Sequence, residues 1–260
     1  MRKYARVLAF SARNQVTYLP AFLMKNVFFV IIVFIFFSLW RAVFSGRSAL
    51  AGFTLAQSLW YLTLTECIEL SRTHLHLRVQ EEVKDGTVSL SLIRPFSYVA
   101  YHLSRGLGES VIKVLPILVE GFLLAMLMVG PLPGYFTALP FGLVLILLGL
   151  VVANLWTMTI GLLSFWMEEV SPITWIVQKL VFILGGLFIP IDLFPPGLAR
   201  VARWLPFAFS AYWPAATVVH FSVGSFLTGF CGALAYAAVL AAIAAGIFAL
   251  GRRRIHANGG

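Results

Sequence analysis

The chain has 260 residues, 60% of them hydrophobic and only 11% charged, with a mean hydropathy of +0.93. A soluble domain of this size carries about a quarter charged residues, so this composition cannot coat a water-facing surface, and it excludes an ordinary soluble enzyme. The net charge of +9 comes from basic residues dispersed around apolar segments, which fits membrane orientation and not a nucleic-acid-binding face.

In chain order, the first segment, "MRKYARVLAFSARNQVTYLP", places Tyr4, Val7 and Leu8 at helical spacing with basic residues between them. Residues 1–20 therefore read either as an interfacial helix turned toward anionic lipid or as a simple positive-inside tail. The apolar run that follows continues for a full membrane span, so a cleaved leader is not expected. Six stretches approach the roughly 20 residues that a helix needs to cross a bilayer: 22–43, 52–70, 106–130, 138–166, 172–190 and 224–250. Runs of this length without alternation are helices, not barrel strands, and the expected fold is an all-α membrane protein with six transmembrane helices.

Lys and Arg cluster before the first span (Arg2, Lys3, Arg6, Arg13, Lys25), after the second (Arg72, Arg78, Lys84, Arg94, Arg105) and at Arg252–Arg254. The alternate side has only Arg41, Arg47, Arg200 and Arg203. Both termini are thus expected in the cytoplasm, in agreement with an even number of spans. Between spans three and four, "GPLPGYF" predicts a tight hairpin. Two connections are long. Residues 71–105 form the expected cytoplasmic loop. Residues 190–223, rich in Pro and aromatic residues, read as a re-entrant helical hairpin in the outer leaflet, with Trp204, Tyr212 and Trp213 at the interface.

Chemical motifs are sparse. No Walker sequence, GxGxxG, HExxH or GxSxG occurs, so neither a nucleotide pocket nor a catalytic residue is expected in this chain. Cys67 and Cys231 lie in separate apolar runs and offer neither a disulfide framework nor a metal site. His74 and His76 fall on different faces of a helix, and His102 lies beyond them, so no metal is expected. Acidic groups in lipid cost at least about 2.5–3.5 kcal/mol, which makes Glu66, Glu69 and Glu120 candidates for a translocation path. A structural bond to a neighbouring helix is the competing role.

The segment "EEVKDGTVSLSLIRPFS", 81–97, is polar and yet carries Val83, Val88, Leu90, Leu92 and Ile93. A flexible tether would lack such residues, so something must cover them. Its periodicity fits a helix or a strand, and Pro95 ends either one.

This segment resembles the cytoplasmic coupling helix of the permease subunits of type-2 ATP-binding-cassette (ABC-2) exporters: an acidic stretch, a Gly-Thr pair, several leucines and a closing Pro. "GGLFIPIDLFPPGLARVARWLPFAFSAYWP", 185–214, is similar to the segment after span five in the same family. The likeness covers almost the whole chain. Ser89 and Ser91 depart from the family's Leu-Asp/Glu-Leu-Leu core after the Gly-Thr pair and weaken the local helix. The resemblance implies a partner ATPase subunit holding ATP and Mg, with no cofactor in this chain, and a second permease chain, identical or related, in the bacterial inner membrane. It also implies that Glu81, Glu82, Val83, Gly86, Thr87, Val88 and Leu90 dock on the ATPase, with Gly86 allowing close approach. The implied cargo is small, amphipathic, drug-like or lipid-like. Two other classes compete, an ion-coupled transporter using the intramembrane glutamates and an intramembrane lipid-modifying enzyme. The first predicts inverted repeats and the second a convergence of polar residues, and neither is found in the sequence.

Overall fold

The computed structural model describes residues 2–15, 19–93 and 95–254, so Arg94, part of the expected loop, lies outside the described residues. Twelve α-helices follow one another among these residues: α1 Arg2–Gln15, α2 Leu19–Val43, α3 Leu55–Leu70, α4 Leu75–Lys84, α5 Val88–Leu92, α6 Tyr98–Val129, α7 Tyr135–Leu162, α8 Ser171–Leu184, α9 Pro196–Ala202, α10 Pro206–Ser210, α11 Tyr212–Val219 and α12 Val223–Gly251. No strand is present among them.

Four of these helices, α2, α6, α7 and α12, are long and apolar enough to cross a membrane. The expected count of six is not reached on that criterion, because α3 has 16 residues and α8 has 14. At 1.5 Å per residue these cover about 24 and 21 Å, short of the ~30 Å hydrocarbon core. Local chemistry sets both limits. α3 starts late because Thr54 builds a capping box with Gln57, each side chain bonding the other's backbone N–H at 2.9 and 3.2 Å. α8 starts at Ser171-Pro172 and stops at Gly185, before Gly186 turns left-handed at φ +72°.

The hairpin at 130–134 forms as its sequence predicts, with Gly130 and Gly134 both at positive φ, and the Trp60 indole N–H donates to the Gly130 carbonyl at 3.0 Å. α6 begins at Tyr98, eight residues before the expected span, because Ser97 caps it by accepting from the Ala100 N–H. Residues 98–105 are therefore helix and not loop.

α3 lies at the centre of the bundle, buried from Ser58 to Ile68. Tyr61 donates to the Gly186 carbonyl at 2.5 Å and Thr65 to the Leu187 carbonyl at 2.8 Å, so the chain leaving α8 is tied to α3. The segment from 190 to 222 breaks at its prolines into α9, α10 and α11, and packs with α3 and α7 around Trp60, Tyr61, Tyr135 and Tyr212. Asp192 clamps this segment by accepting from Arg203 at 2.6 Å and from the Tyr212 hydroxyl at 3.0 Å.

The opposite end holds α1, α4, α5 and the Arg252–Arg254 turn. α1 lies along α6, where the missing side chain of Gly108 leaves room for the Leu8 backbone, and a Cβ there would collide with the Leu8 carbonyl. Tyr4 accepts from the Ser97 N–H at 2.9 Å, and Lys3 donates to the Pro95 carbonyl. Gly108→Val should push α1 off α6 at an overpacking cost of about 1–3 kcal/mol. The expected readouts are a lower thermal midpoint and faster tryptic cleavage after Arg13.

Candidate functional site

The 75–93 segment is a helix, a turn and a short helix. α4 ends at Asp85, and Gly86 then adopts φ +70°, a conformation that side chains other than glycine rarely take. Nothing within 4 Å faces the position of a Gly86 Cβ, so within this chain the glycine serves the turn and not a close approach. The Ser89 hydroxyl donates to the Gly86 carbonyl at 2.7 Å, which stiffens the start of α5 despite its weak helix propensity.

The rows of α4, spaced three and four residues apart, each bond a different part of the bundle. Leu75 and Val79 are fully buried and join Val88, Tyr98, Met158 and Leu162 in one apolar cluster. His76 backs onto Gly161 of α7, whose missing side chain admits the α4 backbone. Arg78 and Glu82 face α6. The Arg78 guanidinium pairs with Glu109 at 3.1 Å. Glu82 accepts from the Tyr98 hydroxyl at 2.8 Å and lies 3.1 Å from His102 Nε2. Gln80 and Lys84 reach the loop before α8. Gln80 Oε1 accepts from the Val170 N–H at 2.8 Å, and Lys84 pairs with Glu169 at 3.2 Å. Leu77 and Glu81 are exposed.

These contacts divide the seven residues proposed for docking. Glu82 and Val88 turn inward, engaged by the chain itself, with Val88 only 1% exposed. Val83 is half-buried, while Glu81, Gly86, Thr87 and Leu90 are exposed. Ile93, at 82% exposure, and Leu90, at 56%, leave an uncovered apolar pair on the outer side. Ile93 lies within the 81–93 stretch expected to dock, and its three-residue spacing from Leu90 is the sequence signal that pairs them. The sequence does not mark Gln80, Tyr98 and Glu169 as supports, because they come from three separate segments.

The candidate path residues do not converge. Glu69 pairs with Arg72, whose guanidinium lies 4.4 Å from the Trp156 ring centre. Glu66 is buried in α3, and its Oε1 has no hydrogen-bond partner among the described residues. Glu120 opens instead into a groove of about 630 Å³ between α2 and α6, shared with Asn26 and Pro116. Asn26 Oδ1 and Glu120 Oε2 both lack a hydrogen-bond partner among the described residues. Among the described residues no three His, Cys, Asp or Glu side chains gather as metal ligands.

Burial pushes the Glu82 carboxyl up, but the hydrogen bond and charge of His102, the Tyr98 hydroxyl and Arg105 outweigh it and hold the group below the usual carboxylate range. Glu169 is pushed down to about 2, first by the Ser171 hydroxyl and then by Lys84. A carboxyl held low contributes stability that is complete above the ordinary Glu pKa of about 4.3 and lost as pH falls through its lower folded value. Glu82→Gln should therefore cost about 1.5 kcal/mol at neutral pH, near the low end for bonds to a charged group, since this carboxylate is 24% exposed. The thermal midpoints of variant and wild type should converge below about pH 4.

A search of curated proteins returns no match. The family model described as "ABC-2 family transporter protein" matches residues 29–259, which takes in α3 to α12 and all but the start of α2. The chain is therefore a membrane transport protein of the ABC-2 transporter family.

Proposed function

We propose that this chain is the permease half of an ATP-driven exporter and that the outer side of the 75–93 segment receives the ATPase subunit. The observation that carries this reading is the exposed Leu90–Ile93 pair on a segment whose α4 is bonded to the bundle through three of its rows. Exposed apolar residues on a rigid support are what a partner's groove requires. Glu81 and Asp85, both exposed and earlier in the same segment, suit basic residues on the partner. Family membership supports association with an ATP-binding-cassette subunit, which would hold ATP and Mg.

In this reading the chain makes six passes, two of them through the short helices α3 and α8, which are completed by the flanking segments and by a second permease chain. The end carrying α1, α4, α5 and Arg252–Arg254 has the larger share of Lys and Arg, and by the positive-inside rule it faces the cytoplasm of a bacterial inner membrane. Glu66 and Glu120, each with an unpartnered carboxylate oxygen, remain the candidates for contact with a small amphipathic cargo. ATP-driven movement of the partner would press on α5 and pass through Glu82, Gln80 and Lys84 into α6 and the start of α8.

Leu90→Asp and Ile93→Asp should each cut co-purification with a co-expressed ATP-binding-cassette subunit by about 30-fold, the loss expected for a hot spot of about 2 kcal/mol. Membrane insertion and thermal midpoint should not change, since both side chains are exposed. Undiminished co-purification in both variants would overturn the docking assignment. Glu82→Gln, which leaves the outer face intact, should keep the ATPase bound while lowering cargo-stimulated hydrolysis.

A further inference from the structure

A second feature of the basic end lies apart from the exposed Leu90–Ile93 pair. Between α1, α4 and α6 lies a cavity of about 1020 Å³ in which Arg2, Lys3, Arg6, Arg78 and Arg105 face a single carboxylate, Glu109. That carboxylate is already used, because Oε1 lies 3.1 Å from Arg78 Nη2 and 3.3 Å from Arg105 Nε. Arg78 Nη1 is buried and has no hydrogen-bond partner among the described residues. Arg2 and Arg6 are exposed one helical turn apart on α1, and neither makes an ion pair among the described residues. Positive charge gathered this densely, with two exposed arginines outside any ion pair among the described residues, calls for an anion with several acceptor oxygens.

The rest of the wall says which kind of anion. Val7, Phe10, Phe96 and Tyr101 line the same cavity, and Phe10 is 66% exposed. A soluble phosphate needs neither that volume nor apolar walls. A phosphodiester headgroup with its glycerol and the upper part of its acyl chains uses both. α1 is amphipathic and basic, lies beside the membrane-spanning α6, and so sits at the depth of the headgroups.

We infer that this cavity is a binding site for an anionic phospholipid, with Arg78, Arg6 and Arg2 on the phosphate and Val7 and Phe10 against the chains. The lipid would join α1 to α4 and α6, and through Arg78 it would touch the same helix that carries Glu81 and Glu82. This inference rests on the chain spanning a membrane and does not depend on ATP coupling.

The test is native mass spectrometry of the detergent-solubilised full chain with phosphatidylglycerol or phosphatidylcholine added, without any ATPase. Phosphatidylglycerol should be retained in preference to phosphatidylcholine. Arg6→Gln and Arg78→Gln should each weaken retention by about fivefold, the effect of one basic residue at an anionic surface. Arg2→Gln/Arg6→Gln, in which only exposed side chains change, should lose about 25-fold with an unaltered thermal midpoint. Arg200→Gln at the opposite end should change nothing. Equal retention of the two lipids, or full retention of phosphatidylglycerol by the double variant, would overturn the assignment. Displacement by excess inorganic phosphate or ATP would make the cavity a soluble-anion site and would equally overturn it.

Discussion

The structure depends on one constraint: α4 has no exposed backbone route by which it can move without dragging the bundle along. Its apolar row is buried against α6 and α7, its acidic row is bonded to Tyr98 and His102 at the start of α6, and its polar row is bonded to the chain entering α8. Each bond alone contributes on the order of 1 kcal/mol. Their effect is geometric, because they pull on α4 from different directions and leave only the row of Leu77 and Glu81 unengaged. A helix held this way transmits displacement instead of absorbing it.

The second strut is α3. Midway along it Tyr61 and Thr65 hold the Gly186 and Leu187 carbonyls, and just past its C-terminal end Thr73 donates to Asn154 Oδ1 at 2.6 Å. Asn154 in turn donates to the Leu150 carbonyl and to Ser110, so one buried amide links α7, α6 and the α3–α4 connection. Polar groups buried in this way are costly unless paired, and here three of the amide's hydrogen-bonding positions are used. The short length of α3 follows from its ends: the exposed capping box at Thr54 begins it, and the buried Thr73–Asn154 bond holds the chain just after it stops.

Much of this was legible in the sequence. The apolar runs give the helices, the Gly and Pro residues at 130–134 give the hairpin, and the prolines at 190–214 give the broken segment, because each of these signals is local. The short lengths of α3 and α8 were not legible by the same means. Hydropathy alone cannot see a capping box at Thr54 or a left-handed glycine at 186 truncating a helix inside an apolar run. Among the site residues, the acidic pair at 81–82 stands out in the sequence, but its two members face opposite ways. Which of them turns inward depends on Tyr98 and His102, contributed by a helix that begins 16 residues later than Glu82.

That division between Glu81 and Glu82 bears on how an oily chain can carry a polar signal. Arg78, Glu82 and Glu109 form a charged row between α4 and α6, and the basic cavity opens at its edge. Removing any one of these charges leaves its partner partly buried and uncompensated, which costs more than the pair contributes. The row therefore holds α4 in one register against α6. An anion bound to Arg78 would compete with Glu109 for the guanidinium, and a partner pressing on Leu90 would load Glu82 from the other end. Two ligands acting on opposite ends of one charged row would be coupled through it, and each would alter the other's affinity by the same factor.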